Sequence, residues 1–173
     1  MHVSLEFRQN ETKENVFSQV ESFLTLNNLK IESVDNERPW GGFFVIDESM
    51  AGRFITNFFP TFDISDFRGY DKLSPKILIV QPEKRLSWQY HNRRAELWKV
   101  IGGSAGVIVS DTDEQGDVQV LGKGDHISMR QGQRHRLVGL NEWAVIAEIW
   151  KHTNLEHPSD EEDIVRVEDD FGR

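Results

Sequence analysis

Four side chains suited to holding a divalent cation fall at Gln89, His91, Glu96 and His135. The first three lie within one stretch, Ser87 to Gly103, which reads as two strands joined by a polar turn at Asn92 to Ala95. A strand sends alternate side chains to opposite faces. Ser87, Gln89 and His91 therefore share one face and Trp88 and Tyr90 the other. After the turn, Glu96, Trp98 and Val100 again share a face. With Gln89 and His91 pointing into a barrel, Glu96 can meet them there, and His135 arrives from a later strand. An amide oxygen, two imidazoles and a carboxylate converging in a cavity can hold a metal. Left without one, each buried polar atom would need another partner. Nitrogen and oxygen donors without sulfur suit zinc, manganese, iron, cobalt or nickel. The remaining histidines, His2, His126, His152 and His157, sit in terminal or turn contexts and read as solvated.

The spacing carries a resemblance. Gln89-x-His91, four residues, Glu96, six residues and Gly103 reproduce the first motif of the cupin superfamily, with Gln where that motif has its first His. Gly124, Arg130, Gly132, His135 and Gly139 reproduce the intervals of the second motif, with Arg130 in place of Pro and Gly139 in place of Asn. The run Leu86-Ser-Trp-Gln-Tyr-His-Asn-Arg-Arg-Ala-Glu-Leu-Trp98 resembles the signature of type II mannose-6-phosphate isomerases, which also carry Gln at that position. Arg38-Pro-Trp-Gly41 and the tail from Glu162 to Arg173 resemble that family's opening and closing segments. The likeness runs from about Arg38 to Arg173, interrupted by an unfamiliar insertion between Glu48 and Asp71. At Glu83 the family has Gly, a departure that bears on turn shape.

The resemblance implies one divalent metal, zinc favoured, on Gln89, His91, Glu96 and His135. It implies a sugar-phosphate aldose–ketose isomerase, in carbohydrate metabolism or polysaccharide precursor synthesis. Lys76, Arg94 and Arg173 match family residues. Lys76 and Glu148 are candidate bases, and Arg94 and Arg173 candidate phosphate holders, since arginine presents a planar fork of donors. Ser87, Trp40 and Trp98 are candidate substrate contacts, with Trp150 beside them as a stacking wall. Arg134 and Arg136, flanking His135, read as surface charge. Two other functions fit the same motifs: a noncatalytic sugar-binding or regulatory cupin, and another metal enzyme of the fold, an epimerase or dioxygenase.

These residues need a scaffold. The expectation is an all-β cupin barrel over 38–173, two packed antiparallel sheets, preceded by a helical extension over 1–37. Apolar residues at Val16, Phe17, Val20, Phe23 and Leu24 have helical spacing and predict an amphipathic helix over 11–28, started by Thr12 with Asn15 or by Asn10 with Glu14. Its apolar stripe should pack on the barrel or form a dimer contact, with Trp88 and Tyr90 supplying an outward aromatic surface. Glu48 to Phe59 predicts a second helix, stopped by Pro60. The loop 61–72 should cover one end of the barrel. Lys76-Ile-Leu-Ile-Val80 reads as a strand buried on both faces. Residues 105–110 and 118–121 form a hairpin, 127–129 a strand, His135 begins the next, and Glu142 to Trp150 is the last barrel strand, with Glu148 and Trp150 on one face. Ile164 to Val167 is a short apolar piece that must dock somewhere.

Length and composition set the outer bounds. The chain has 173 residues, enough for one domain with a useful core. It has no Cys, which removes disulfides and thiolate sites and fits a reducing cytoplasm. No apolar run approaches the ~18 residues of a membrane span, and the first residues lack the pattern of a secretory signal. The formal charge of −9 argues against nonspecific nucleic-acid binding, though a local arginine cluster can still bind phosphate. The expected partners are a small sugar phosphate and a second copy in a homodimer, with neither nucleic acid nor membrane.

Overall fold

The computed structural model describes residues 3–67 and 69–173. Its strands form two antiparallel sheets. The strands, in chain order, are β1 (Ile31–Asp35), β2 (Gly41–Ile46), β3 (Lys76–Val80), β4 (Trp88–Tyr90), β5 (Arg94–Gly102), β6 (Ala105–Ser110), β7 (Gln119–Leu121), β8 (His126–Met129), β9 (Arg134–Gly139), β10 (Ala144–His152) and β11 (Val165–Glu168). One sheet has the order β1-β2-β3-β10-β5-β8 and the other β11-β4-β9-β6-β7.

Strand parity divides the larger sheet cleanly. Leu78 and Val80 of β3, Trp98 and Val100 of β5, and Ala144 and Ile146 of β10 face inward. They meet Leu86, Ala105, Val107 and Leu137 from the other side of the barrel. Their neighbours Ile77, Ile79, Leu97, Val145, Ala147 and Ile149 face outward and are buried under the helices. The unbroken apolar run of β3 thus serves two cores, one on each face of the sheet. Burial of this kind contributes about 25 cal/mol per Å² of apolar surface.

The first helix, α1 (Lys13–Leu26), starts one residue after Thr12, whose hydroxyl accepts from the Asn15 N–H at 3.2 Å. The expected span of 11–28 therefore includes its caps. Val16, Phe17, Val20 and Leu24 are its buried stripe. After a 3-10 turn at Glu48–Met50, the second helix, α2 (Ala51–Phe58), buries Phe54, Ile55 and Phe58 in the same outer core. Its end next to Pro60 follows from proline's missing N–H and its clash with the preceding turn.

Three expectations need correction. Trp88 is not an outward aromatic surface: it is 1% exposed, and its indole N–H donates to the Asp113 carbonyl at 2.8 Å. It belongs to the smaller sheet, whereas α1 packs on the larger, so it supplies no surface for helix or dimer. Arg136 is not surface charge: it is completely buried, with Nε donating to the Leu86 carbonyl at 2.7 Å. Its guanidinium reaches Glu168 at 3.5 Å and Asp170 at 3.7 Å, and Arg85 also grips Asp170 at 2.7 Å. These pairs pin the tail, and the apolar piece at Ile164 to Val167 docks as β11 against β4. His152 is not solvated but 2% exposed. The strand β1 was not anticipated: its residues are half-buried or exposed, so no apolar period marks it.

Two departures from the motif pattern have local causes. A Cβ on Gly139 would lie 2.0 Å from the Gln81 carbonyl oxygen, so only glycine fits where the motif has Asn. Glu83 adopts φ +62°, the left-handed conformation that glycine holds without strain, so the turn keeps its shape despite the side chain. Gly139→Ala must therefore move backbone. It should lower stability by about 3 kcal/mol or more, read as a fall in the denaturation midpoint with unchanged m-value.

Candidate metal centre and surrounding cavity

His91, Glu96 and His135 converge as strand parity requires. Their candidate ligand atoms lie within 4.8 Å of one another, and all three side chains are buried. Register explains the meeting. Gln89 on β4 lies opposite His135 on β9, while Glu96 enters from β5 in the facing sheet, level with Trp150 and Met129.

The hydrogen-bond partners fix the imidazole tautomers. His91 Nδ1 lies 2.6 Å from the Asp163 carbonyl and His135 Nδ1 lies 2.9 Å from the Gln133 carbonyl. A carbonyl only accepts, so each Nδ1 must donate. In the neutral imidazoles, both Nε2 atoms then carry lone pairs. Those Nε2 atoms face Glu96, His91 at 3.1 Å from Oε1 and His135 at 3.3 Å from Oε2. Lone pair against carboxylate oxygen is repulsive unless a cation lies between. Among the described residues, Glu96 Oε2 and His135 Nε2 are also buried side-chain atoms without a hydrogen-bond partner. The donor set and its orphaned atoms fit a divalent metal held by two imidazoles and a carboxylate.

The electrostatics agree. Burial pushes His91 below the ordinary imidazole pKa, although Glu96 opposes it. Neutral imidazole is the form a metal ligand needs. Burial opposes ionisation of Glu96, but its carboxyl is held well below the usual range, with the positive charge of Arg94 beside it. Arg94 is the permanent cation of this group. Its Nε donates to Glu96 at 2.8 Å, Nη1 to Ser159 at 2.8 Å, and Nη2 to His91 Nε2 at 3.2 Å, with the guanidinium 3.6 Å from the Trp150 ring centre.

Gln89 stands beside the cluster with its amide Nε2 3.4 Å from His91 and its oxygen accepting from Ser87. A role as fourth ligand requires the amide turned end for end. The Ser87 hydroxyl, both donor and acceptor, can bond either end.

A cavity of about 150 Å³ opens beside the cluster. Trp40, Lys76, Ser87, Gln89, Arg94, Glu96, Trp98, Glu148, Trp150 and Arg173 all line it, so the candidate side chains share one space. Glu148 lies opposite Lys76 of β3 and Trp98 of β5 in one row across the sheet. Its oxygens accept from the Trp98 indole at 2.6 Å and the Trp150 indole at 2.8 Å. Burial first, and then repulsion from Glu96, push Glu148 up to about 7. Lys76 forms an ion pair with Glu161 and lies 4.6 Å and 4.4 Å from the Phe43 and Trp150 ring centres. Arg173 pairs with Asp169 at 2.9 Å.

Several functional neighbours were not visible as such in the sequence. Asp163, besides its carbonyl on His91, accepts from the Asn92 and Arg93 N–H groups at 2.9 Å each and from the Ser159 hydroxyl at 2.6 Å. It ties the tail to the turn between the ligand strands. The tryptophans were read as stacking walls, and their hydrogen bonds to Glu148 were missed, although period-2 alternation already put Trp98, Glu148 and Trp150 on inward faces.

The fold and site together define a cupin-type barrel with a His–Glu–His cluster suited to a metal. Residues 62–169 match the family described as mannose-6-phosphate isomerase C-terminal, and the chain belongs to that family. It is 31% identical over 137 residues to the mannose-1-phosphate guanylyltransferase of Escherichia coli, covering 79% of this chain and 22% of that protein. It is 30% identical over the same length to the alginate biosynthesis protein AlgA of Pseudomonas aeruginosa, again 79% and 22%. The chain thus spans about a fifth of the length of these curated relatives. In shape it is similar to oxalate decarboxylase of Bacillus subtilis (TM-score 0.55, 16% identity, 79% of this chain and 31% of that one). It is also similar to the capsular polysaccharide assembling protein CapF of Staphylococcus aureus (TM-score 0.51, 12% identity, 81% and 34%). At these identities the likeness bears on the fold alone.

Two outcomes follow. After loading with zinc and dialysis, the protein should retain about one metal per chain by elemental analysis, and the His91→Ala, His135→Ala double variant should retain none. Full occupancy in that variant would contradict the cluster's role. The second concerns His152, whose Nδ1 accepts from the Ser159 N–H at 2.9 Å and whose Nε2 lies 3.2 Å from the Ser74 hydroxyl. Burial, with Lys72 and Arg94, pushes its pKa from 6.5 down to about 4. The unfolded chain then binds more protons between those values, so stability should fall as pH drops from 6.5 toward 4. His152→Gln should flatten that part of the profile of denaturation midpoint against pH.

Proposed function

We propose that this barrel is a metal-dependent isomerase of sugar phosphates, converting an aldose phosphate to its ketose, with mannose 6-phosphate and fructose 6-phosphate as the first pair to test. The observation that carries the reading is a buried carboxylate, Glu148, pushed up to about 7 and lining the same cavity as Glu96 of the His91–Glu96–His135 cluster. Membership of the mannose-6-phosphate isomerase C-terminal family supports the same substrate class.

A divalent cation on His91, Glu96 and His135, with Gln89 as fourth donor and zinc favoured by the resemblance, would supply Lewis-acid polarisation of a sugar carbonyl. The chain's own residues would do the rest. Glu148 has a pKa suited to proton transfer near neutrality. It would take the proton from C2 of the aldose and deliver it to C1, while the O2 hydroxyl proton passes to O1, so nothing is gained or lost overall. The two indole N–H bonds hold its carboxylate in place. Lys76 is committed to its ion pair with Glu161, which leaves Glu148 the better placed base. Trp40 and Trp98 would bound the sugar, and Ser87 would steady the Gln89 amide.

The test needs no prior choice of product. Metal-loaded protein in deuterium oxide is given a panel of sugar phosphates, and loss of the C1 or C2 proton signal is followed by NMR. Exchange that requires metal is the expected result. Glu148→Gln should slow it by about 10²- to 10⁴-fold. Because Glu148 must be ionised to accept a proton, kcat/KM should rise with pH through about 7 in the wild type, and that limb should vanish in the variant. No exchange across the panel with metal occupancy verified would replace this reading with a sugar-binding module that does not turn substrate over.

A further inference from the structure

Arg94, the arginine nearest the metal cluster, is poorly placed to hold a phosphate. Its Nε and Nη1 are spent on Glu96 and Ser159, and the residue is 5% exposed. The same cavity is lined by three further arginines, Arg38, Arg166 and Arg173. They come from separate places in the chain: the turn before β2, strand β11 and the C-terminal residue.

Arg166 is the informative member. It pairs in register with Gln89. Directly opposed residues of an antiparallel pair project from the same face with Cβ atoms about 5 Å apart. Arg166 therefore rises on the cavity side, next to the strand position that carries the candidate fourth metal donor. Its side chain is exposed and takes part in none of the side-chain hydrogen bonds or ion pairs of the described residues. Its two neighbours are held by carboxylates that leave donors over. Arg38 uses Nε on Asp35 at 2.8 Å. Arg173 uses Nε and Nη2 on Asp169 at 2.9 Å and 3.0 Å. Of the three guanidiniums, Arg38 and Arg173 each have a carboxylate partner, and the Arg166 side chain has none among the described residues. Burial, and after it the charge of Arg173, push the Arg166 pKa down, with Asp169 opposing and Arg38 adding to the push, as expected of cations gathered in one place.

We propose that Arg38, Arg166 and Arg173 form an anion site at the mouth of the cavity, built for the phosphate monoester of the substrate, with Arg166 its principal contact. The inference rests on the sugar-phosphate reading for its ligand and places that ligand's charged end on the Gln89 side of the cavity. Guanidinium forks bind phosphate oxygens in pairs, and the resident Asp35 and Asp169 hold two of the forks in position before the ligand arrives.

The test titrates metal-loaded protein with inorganic phosphate by calorimetry. Wild type should show saturable binding that weakens with added salt. Arg166→Gln should weaken it by about 10- to 100-fold, Arg166→Lys should recover part of the loss, and Arg38→Gln should weaken it as well. Arg53→Gln, an exposed arginine on α2, should bind as wild type does. Absence of phosphate binding in the wild type, or equal affinity in Arg166→Gln, overturns the site. The same variant separates this site from the isomerase reading. If a phosphosugar turns over and Arg166→Gln raises its KM with kcat kept, both stand. If one turns over with unchanged KM, the anion site falls and the isomerase stands. If phosphate binding depends on Arg166 but no phosphosugar exchanges, the site stands and the isomerase reading falls.

Discussion

A carboxylate buried to 3% exposure has to be answered by positive charge, and the environment of Glu96 is arranged around that requirement. An uncompensated charge in a low-dielectric interior costs several kcal/mol. Arg94 answers from one side, itself held by Ser159 and stacked on Trp150. Two imidazoles face the carboxylate from the other sheet with their lone pairs directed inward. Arg94 bridges the His91 side, while His135 Nε2 and Glu96 Oε2 are left without a hydrogen-bond partner, and the backbone carbonyls of Asp163 and Gln133 hold the rings in this orientation. Glu148 feels the consequence, since part of its raised pKa comes from Glu96. One buried charge thus connects the ligand strands, the tail and the candidate base.

The barrel was legible because period-2 alternation is strict. Once Gln89 and His91 were placed inward, Glu96, Trp98, Glu148 and Trp150 followed, and their register neighbours in the structure are each other. Lys76 came from the family resemblance alone, and the structure places it two positions before the inward Leu78. The helices were legible from the spacing of Val16, Phe17, Val20 and Leu24 and from the stop at Pro60.

What sequence could not convey was the path of the tail. Arg136 read as exposed because alternation turns it away from His135, and His152 because it sits in a turn context. Each is buried by residues far along the chain: Arg136 by Glu168 and Asp170, and His152 by Ser74 and Ser159. Trp88 was misread for a related reason, since the Asp113 loop that accepts its N–H carries no pattern pointing toward β4. Polar contacts between distant segments have no period, so alternation and spacing do not reveal them. Arg166 escaped notice likewise: only the pairing of β11 with β4 sets it beside Gln89.

The bond between His91 and the Asp163 carbonyl spans 72 residues of chain. During synthesis, the histidine and its turn leave the ribosome well before the group that sets the ring's tautomer. At about 5–20 residues per second, several seconds separate them. In that interval the imidazole is free to present either nitrogen, and the turn backbone lacks the Asp163 carboxylate that later accepts from it. A chain interrupted before Asp163 could collapse around its apolar strands yet would lack the fixed ring orientation on which metal selectivity depends. The arrangement delays a fully ordered His–Glu–His cluster until the segment carrying Asp163 is in place, so that completion of the fold and fixing of the His91 ring become a single event.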